Sequence, residues 1–232
     1  MIVSHEHQFI FLKTTKTAGT SIEIALSQHC GPKDIITRIA KNDEAVRQSL
    51  GFRGPQNLGV PFYKYTRTDW GRLIKKGKPQ KYYNHIPASL VKRYVGDRIW
   101  REYFIFTFER NPYDKAISRY YWELRRRELP ELEGYLNQVG PRMLSNWHIY
   151  TIDDRVSADF VGRFERLTED LGEVWQRLGL PGSPHLPQTK SGYRKDKSHY
   201  STLLTPAARS RIETVCAREI VEFGYQFERI SP

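Results

Sequence analysis

Short apolar runs alternate with longer amphipathic and polar stretches along this chain. Residues 8–13 (QFIFLK) and 103–108 (YFIFTF) are short and rich in aromatic and β-branched side chains, so each predicts a buried strand. Residues 159–165 (DFVGRFE) predict a third strand. Strands that alternate with helices are typical of a sheet covered on both faces. The pattern therefore predicts an α/β fold of three layers, with a mostly parallel sheet flanked by helices.

Helical spacing of apolar residues follows these strands. The predicted helices cover residues 21–28, 87–95, 112 to about 127, 168–178 and 206–222. Thr205 caps the last helix, while Gly179 and Gly224 end the last two. Residues 31–81 are rich in Gly, Pro, Asn and charge and predict loops with short helices. No repeat or linker divides the chain, so we expect one domain over residues 1–232.

The chain is basic, with 37 Lys and Arg residues against 26 Asp and Glu and a formal charge of +11. Such an excess indicates an anionic partner: a nucleotide, a nucleic acid, an acidic glycan or a membrane surface. The charge is spread out, with tight clusters only at residues 75–76 and 125–127. Either cluster is explained equally well as a solvated surface or as a functional one. Charge alone does not choose a partner.

Compartment signals point to the cytoplasm. No apolar run approaches the ~20 residues that span a bilayer, so we expect no transmembrane segment. Residues 1–9 are polar where a signal peptide would be apolar. Cys30 and Cys216 are too few for a disulfide scaffold or a cysteine-based zinc site.

A polar loop, KTTKTAGTS at residues 13–21, joins the first predicted strand to the first helix. At such a junction, backbone N–H groups and the helix dipole converge on an anion. Lys16 adds a mobile charge, Gly19 lets the backbone approach closely, and hydroxyls come from Thr17, Thr20 and Ser21. The loop is not a Walker A motif, because its lysine precedes the glycine. A helix start merely capped by Thr20 or Ser21 remains an alternative.

A second candidate segment is FTFERNP at residues 106–112, followed by Ser118. Arg110 lies just past a strand's carboxyl end, where open α/β sheets bind ligands. Ser118 lies two helical turns further on, so both side chains can meet one phosphate, a task that suits the guanidinium fork. The alternative is a surface arginine paired with Glu109 or Asp114.

Together the two segments resemble the signature elements of the sulfotransferases that use 3′-phosphoadenosine 5′-phosphosulfate (PAPS). In that family, a P-K-[ST]-[AG]-[GS]-T-[ST] loop grips the 5′-phosphosulfate and R-[NH]-P-x5-S grips the 3′-phosphate. The resemblance is closest to the carbohydrate-sulfotransferase branch with its bacterial members, and it covers residues 9–227. It implies a P-loop-like nucleotide-binding fold. It assigns donor binding to Lys16, Thr17, Ala18, Gly19, Thr20, Ser21, Arg110 and Ser118, and Thr15 stands where many members have proline.

The resemblance also implies a reaction, in which a sulfuryl group moves from PAPS to an acceptor hydroxyl, expected on a carbohydrate. Lys16 would stabilise charge on the bridging oxygen. His85 would be the base, because the family places its catalytic histidine between the two nucleotide motifs; a lone histidine is more often structural. Lys190 and Arg194 would lie near the 3′-phosphate, with a solvated loop as the alternative. We expect no metal, because a sulfuryl group carries less charge than a phosphoryl group.

Three other functions agree with parts of the sequence. A phosphoryl-transfer nucleotide kinase needs a Walker lysine and a metal-binding carboxylate; neither is evident, although Glu165 and Asp114 leave slight room. A nucleic-acid-binding module explains the charge but not the loop, so we expect no nucleic-acid partner. An inactive relative of the enzyme is a further alternative. The acceptor and the oligomeric state are not determined by the sequence.

Overall fold

The computed structural model describes residues 1–187 and 196–228. Its strands are β1 (Ile2–Ser4), β2 (Phe9–Phe11), β3 (Ile35–Ile36), β4 (Phe104–Glu109), β5 (Thr151–Ile152), β6 (Arg155–Val156) and β7 (Phe160–Arg163). Its helices are α1 (Gly19–Ser27), α2 (Lys41–Ser49), α3 (Arg67–Lys76), α4 (Ala88–Val95), α5 (Asp97–Glu102), α6 (Pro112–Leu124), α7 (Leu132–Gln138), α8 (Pro141–Leu144), α9 (Trp147–Tyr150), α10 (Leu167–Arg177), α11 (Tyr200–Leu203), α12 (Pro206–Val215) and α13 (Ala217–Phe223). Short 3₁₀ turns lie at Phe62–Lys64 and Phe164–Arg166.

Five strands form the central sheet in the order β3-β1-β2-β4-β7. β2, β4 and β7 are parallel, with Phe9 opposite Phe104 and Phe106 opposite Phe160. β1 runs antiparallel to both β2 and β3, so four of the five strands point the same way. The predicted α/β class with a mostly parallel sheet is confirmed.

The side chains of the central strands alternate between two apolar layers. Phe9, Phe11, Phe106 and Phe108 pack on one face against α1 and α10. Ile10, Leu12 and Ile105 point to the other face and pack against α4 and α9. The sheet is therefore buried on both faces, which explains why its strands are continuous apolar runs in the sequence.

A third apolar cluster joins α6 to α7, α8, α11 and α12 beyond the sheet. Tyr113 and Ile117 of α6 are buried in it, together with Leu136 and Ile212. This cluster fixes α6, whose first turn follows directly from the end of β4. It thereby positions the side chains that α6 presents at the carboxyl edge of the sheet.

The observed elements differ from the predicted ones mainly at the ends. The predicted 206–222 helix is two helices, because the chain turns at the fully buried Cys216 between α12 and α13. Thr205 caps α12 by accepting a hydrogen bond from the Ala208 N–H, as expected, and Gly224 ends α13 with φ 64°. The short strands β1, β3, β5 and β6 were not predicted. Within residues 1–187 and 196–228, none of the helices combines the length and apolar character that crossing a bilayer requires.

Candidate active site

A cavity of about 800 Å³ opens where β2 and β4 end, and both predicted segments line it. Its walls include the following predicted site residues: Lys16, Ala18, Gly19, Thr20, Ser21, His85, Arg110 and Ser118. The loop after β2 and the segment after β4 therefore face one space, although about ninety residues separate them in the chain. The volume lies within the range of small-molecule sites.

The loop after β2 has an unusual backbone. Lys16 and Ala18 both adopt the left-handed conformation, with φ of 64° and 57°. His85, which also lines the cavity, has φ 56°. Such conformations cost about 1–3 kcal/mol each outside glycine and persist where the surrounding structure holds them, commonly at ligand sites. A left-handed residue within a turn also aims successive N–H groups at one point, which makes an anion-binding concavity.

The first turn of α1 follows this loop directly. Ala18 is the N-cap residue and has no polar side chain, so it leaves the helix N-terminus without a side-chain cap. Thr20 and Ser21 lie inside the first turn of α1 rather than at its N-cap position. A Cβ at Gly19 would lie 3.0 Å from Lys13 Cγ, so a larger residue there requires Lys13 to shift.

Thr17 does not line the cavity. Its side chain is fully buried, and its hydroxyl lies 2.8 Å from the hydroxyl of Thr14. Thr14 in turn donates to the carbonyl of Phe108 in β4. The Thr17 hydroxyl therefore ties the loop to the sheet, and we do not carry forward its predicted part as a hydroxyl donor to the nucleotide.

Asn146 holds the loop through hydrogen bonds to Thr15, and the sequence did not point to this residue. Its Oδ1 accepts from the Thr15 N–H at 3.0 Å and from the Thr15 hydroxyl at 2.8 Å. Its Nδ2 donates to the Thr15 carbonyl and to Glu109 Oε1, both at 3.1 Å. Asn146 is fully buried and lies 131 residues from Thr15, so no local signal marks it. The N–H that it binds is one that a proline at position 15 would lack.

Arg110 is held at the edge of the cavity by several partners. Its Nε donates to Asp114 at 2.8 Å, and its Nη1 lies 3.1 Å from the Lys16 carbonyl and 3.3 Å from Ser118 Oγ. The guanidinium stacks 3.9 Å from the centre of the Phe164 ring. Arg110 thus pairs with Asp114 and also lies beside Ser118 at the cavity. Glu109 pairs instead with Lys115, at 2.9 Å.

His85 has a defined tautomer. Its Nδ1 lies 2.9 Å from the carbonyl oxygen of Lys13, and a carbonyl only accepts, so Nδ1 carries the proton in this bond. Nε2 is then left with a lone pair. Burial, and next the neighbouring Lys13, lower the pKa of His85 to about 4, so the ring is neutral at pH 7. A neutral imidazole with one basic nitrogen can take up a proton.

The cavity is positively charged. Among the described residues that line it, five are Lys or Arg (Lys13, Lys16, Arg110, Arg119 and Arg142) and none is Asp or Glu. Lys13 is paired behind the wall with the fully buried Glu23, at 2.8 Å. Burial by itself would raise the pKa of Glu23, but Lys13 and the Met1 amine lower it to about 2.

The wall that faces the loop comes from α6 and from residues 142–149. Lys16 Nζ lies 5.7 Å from the centre of the Trp122 ring. Arg119 donates to Glu123 at 3.1 Å, and Arg142 and His148 also line the cavity. Burial, and next Arg142, lower the pKa of His148. The sequence did not single out these residues as a group, because they meet only through packing of the third apolar cluster.

Lys190 and Arg194, predicted near the 3′-phosphate, lie outside the described residues. In residues 1–187 and 196–228, no three His, Cys, Asp or Glu side chains come together as a metal-binding group.

An α/β sheet with a cationic cavity at its carboxyl edge, built on a loop and a helix N-terminus, is typical of proteins that bind anionic ligands. The profile of the sulfotransferase family matches residues 1–226, and the chain belongs to that family. It is thus a sulfuryl-transferring enzyme by class, and members of the family generally use PAPS as the donor. The chain is also similar to an uncharacterized protein of Archaeoglobus fulgidus, with 30% identity over 105 residues, 41% of this chain and 84% of the relative.

Proposed function

We propose that this protein transfers a sulfuryl group from PAPS to an acceptor hydroxyl on a carbohydrate. The observation that carries the proposal is the convergence of two cationic segments on one cavity. The loop with Lys16 and the pair of Arg110 and Ser118 both line it, and the described lining contains five cations and no carboxylate. A donor with anionic groups at its 5′ and 3′ ends needs two such anchoring points in one space.

The loop and the start of α1 form a P-loop-like cradle for the 5′-phosphosulfate. Left-handed turns at Lys16 and Ala18 and the uncapped N-terminus of α1 supply backbone N–H groups and a partial positive charge. Arg110, oriented by Asp114, and Ser118 bind the 3′-phosphate. This division of labour follows the resemblance residue by residue, except that Thr17 contributes through its backbone.

The bound donor supplies an activated sulfuryl group with the 5′-phosphate as leaving group. In the transfer, a bond forms between the acceptor oxygen and sulfur, and the bond between sulfur and the bridging oxygen breaks. Lys16 stabilises the negative charge that develops on the bridging oxygen. His85 takes the proton of the acceptor hydroxyl on Nε2, while its Nδ1–H stays bound to the Lys13 carbonyl.

A carbohydrate acceptor is supported by the wall opposite the loop. Trp122 presents a partly exposed indole there, close to Lys16. Flat apolar ring faces suit the stacking of sugars, and Arg119 and Arg142 favour an acceptor with anionic or strongly polar groups.

The main rival, a phosphoryl-transfer kinase, is disfavoured by the chemistry of the lining. Such an enzyme needs a carboxylate to hold Mg²⁺ beside the phosphates. Asp114 and Glu165, the two acids that the sequence left open, are not among the lining residues; Asp114 binds Arg110 and Glu165 accepts from the Asn111 N–H.

A binding experiment tests which residues hold the 5′ end of the nucleotide and which hold its 3′-phosphate. We expect adenosine 3′,5′-bisphosphate to bind far more tightly than adenosine 5′-monophosphate, in calorimetric titrations without metal. Arg110→Ala should weaken the bisphosphate by about 10–100-fold and bring the two affinities close together, since it removes the contact to the 3′-phosphate. Lys16→Ala should keep most of the difference between the two ligands. Preference for ATP with magnesium over the bisphosphate would contradict the proposal.

A transfer experiment tests the reaction. The protein is incubated with labelled PAPS and a panel of oligosaccharides, small alcohols and tyrosine peptides, and label transfer is measured. Lys16→Ala should lower the rate about 10²–10³-fold, and Lys16→Arg should restore it only in part because a planar cation occupies the site differently. Transfer to peptides but not to sugars would refute the carbohydrate acceptor and leave the donor assignment standing.

A further inference from the structure

Helix α3 and the turn before it present an exposed surface that is both apolar and basic. We call it the α3 face, and its apolar members are Phe62, Tyr63, Trp70 and Ile74. Their side chains are 56%, 81%, 45% and 82% exposed, respectively. Among the described residues, nine large hydrophobic side chains are exposed, and these four fall within thirteen positions. Such a concentration is unlike the scattered exposed apolar residues of an ordinary surface.

The α3 face is a fixed structure. Thr66 and Asp69 form a capping box at the start of α3, and Gly77 ends the helix in the left-handed conformation. Asp69 also accepts from the hydroxyl of the buried Tyr94 at 2.9 Å, which anchors α3 to the core. The apolar side chains are therefore held in the open by a helix that is itself well packed.

Three of the four apolar side chains lie together. Trp70 and Ile74 are four positions apart on α3 and so lie on the same side of the helix. Phe62 packs against Trp70, with ring centres 6.2 Å apart and planes 26° from parallel. Phe62, Trp70 and Ile74 therefore form one ridge, and Tyr63, which is 81% exposed, lies beside it in the groove with Lys64.

Positive charge surrounds this ridge. Between residues 61 and 81 there are seven Lys or Arg residues and one acidic residue, Asp69, which is buried. The exposed cations are Arg67, Arg72, Lys75, Lys76, Lys78 and Lys81. A groove of about 470 Å³ beside Tyr63 adds Lys64, Lys92 and Arg93, together with one exposed acid, Asp97. The rim of the ridge therefore carries cations without an exposed acid from the same segment.

We propose that the α3 face docks the protein on an anionic lipid bilayer. Aromatic and aliphatic side chains enter the boundary between headgroups and acyl chains, and the surrounding lysines and arginines pair with anionic headgroups. Trp and Tyr favour this boundary because their rings are amphipathic. The inference goes beyond the proposed function and does not depend on it.

An acidic polysaccharide is the other partner that a basic, aromatic surface can bind. The apolar side chains of the α3 face favour the bilayer instead. Ile74 is the most exposed of them, at 82%, and an aliphatic side chain gains little from a sulfated or carboxylated sugar. Insertion into a bilayer removes the apolar area of Ile74, Trp70 and Phe62 from water together. Binding to a lipid surface therefore engages both the apolar and the basic side chains of the α3 face.

Vesicle co-sedimentation of the full chain tests the proposal. We expect binding to vesicles of phosphatidylcholine with phosphatidylserine, little binding to phosphatidylcholine alone, and weaker binding as salt increases. Trp70→Ser with Ile74→Ser should lower partitioning by at least about tenfold, because it removes inserted apolar area. Val221→Ser is the matched control: Val221 is also 82% exposed but lies on α13, and its change should leave partitioning unaltered.

A second pair of variants separates local charge from total charge. Lys75→Glu with Lys76→Glu should lower partitioning on the anionic vesicles by at least about tenfold. Lys33→Glu with Lys41→Glu makes the same change in net charge at exposed sites outside the α3 face and should have a small effect. Equal losses from both pairs, or binding to an immobilised sulfated polysaccharide with no binding to vesicles, would overturn the proposal. Titration of the same preparations with adenosine 3′,5′-bisphosphate reports on the proposed function separately.

Discussion

At the scale of single residues, the candidate site depends on side chains and backbone angles that act in pairs. His85 presents Nε2 because Nδ1 is held by the carbonyl of Lys13, the residue at which the loop begins. Lys16 and Ala18 hold the loop in left-handed turns, and Arg110 reaches back to the Lys16 carbonyl. The two cationic segments are thus joined through the loop backbone as well as through the cavity.

The pKa of His85 predicts the pH dependence of the reaction. Because burial and Lys13 lower that pKa to about 4, the ring stays neutral well below pH 6.5. The kcat/KM for transfer should therefore stay level from pH 8 down to about 5 and fall only towards pH 4, as measured in a pH–rate profile. His85→Asn, which tolerates a positive φ but has no basic nitrogen, should lower the rate by about 10²–10⁴-fold with little change in Tm. An acid limb near pH 6.5 would contradict this prediction.

Because Asn146 binds Thr15 of the loop, we expect it to position the donor without touching it. Asn146→Asp loses both Nδ2 hydrogen bonds and brings a carboxylate next to Glu109, so the loop should shift. We expect about tenfold weaker binding of adenosine 3′,5′-bisphosphate in calorimetry, with a lower Tm. Ser145→Ala is the control, since it removes a partly buried hydrogen bond to Glu219 that does not involve the loop. If Ser145→Ala weakens binding equally, the Asn146 effect is one of general stability.

At the scale of elements, replacing glycine by alanine should have opposite effects on stability in helices α1 and α10. Gly19 opens α1, and a Cβ there would lie 3.0 Å from Lys13 Cγ and 3.2 Å from the Thr14 carbonyl oxygen. Gly172 lies within α10, where an added Cβ meets nothing within 4 Å. Gly19→Ala should therefore lower Tm and weaken nucleotide binding. Gly172→Ala should stabilise the protein by about 0.5–1 kcal/mol through helix propensity, as measured by denaturant unfolding. A stabilising Gly19→Ala would show that the packing of α1 adapts easily.

Most elements were predictable because their patterns are local. Residues 8–13 and 103–108 contain β2 and nearly all of β4, and capping by Thr205 and the stop at Gly224 depend on neighbouring residues only. The break at Cys216 was not predictable in this way. There the chain turns so that Glu219 reaches the interior, where its carboxylate accepts from Ser145 and lies 3.8 Å from Lys115. Those contacts join positions more than seventy residues apart.

At the scale of the whole molecule, a buried charge cluster ties the loop to the rest of the sheet region. Glu23 of α1 binds Lys13 at 2.8 Å and the Met1 amine at 2.9 Å, and Arg47 of α2 lies 3.5 Å away. Each of these groups is nearly or fully buried. Removing one partner of such a cluster leaves uncompensated charge in the interior, and this is costly.

The cluster predicts how stability varies with pH. Burial opposes ionisation of Glu23, yet its cationic partners lower its pKa from 4.5 to about 2, so it stabilises the fold above pH 4.5 and this contribution is lost as pH falls towards 2. Glu23→Gln should cost about 3–5 kcal/mol at pH 7, and less at pH 3, in denaturant unfolding. Glu102→Gln, at a half-exposed ion pair with Arg98, should change little at either pH. An equal cost of Glu23→Gln at pH 7 and pH 3 would refute the assignment.

The sequence by itself determined the three parallel strands β2, β4 and β7, the loop at residues 13–21 and the Arg110–Ser118 pair. Each of these is a pattern of neighbouring residues that helix and strand periodicity explains. The tertiary structure alone decided that these segments share one cavity and that Thr17 turns inward. It also decided that Asn146 holds Thr15 and that the apolar residues of α3 stay in the open. Those outcomes depend on packing between residues distant in the chain, where geometry rather than local composition selects the partner.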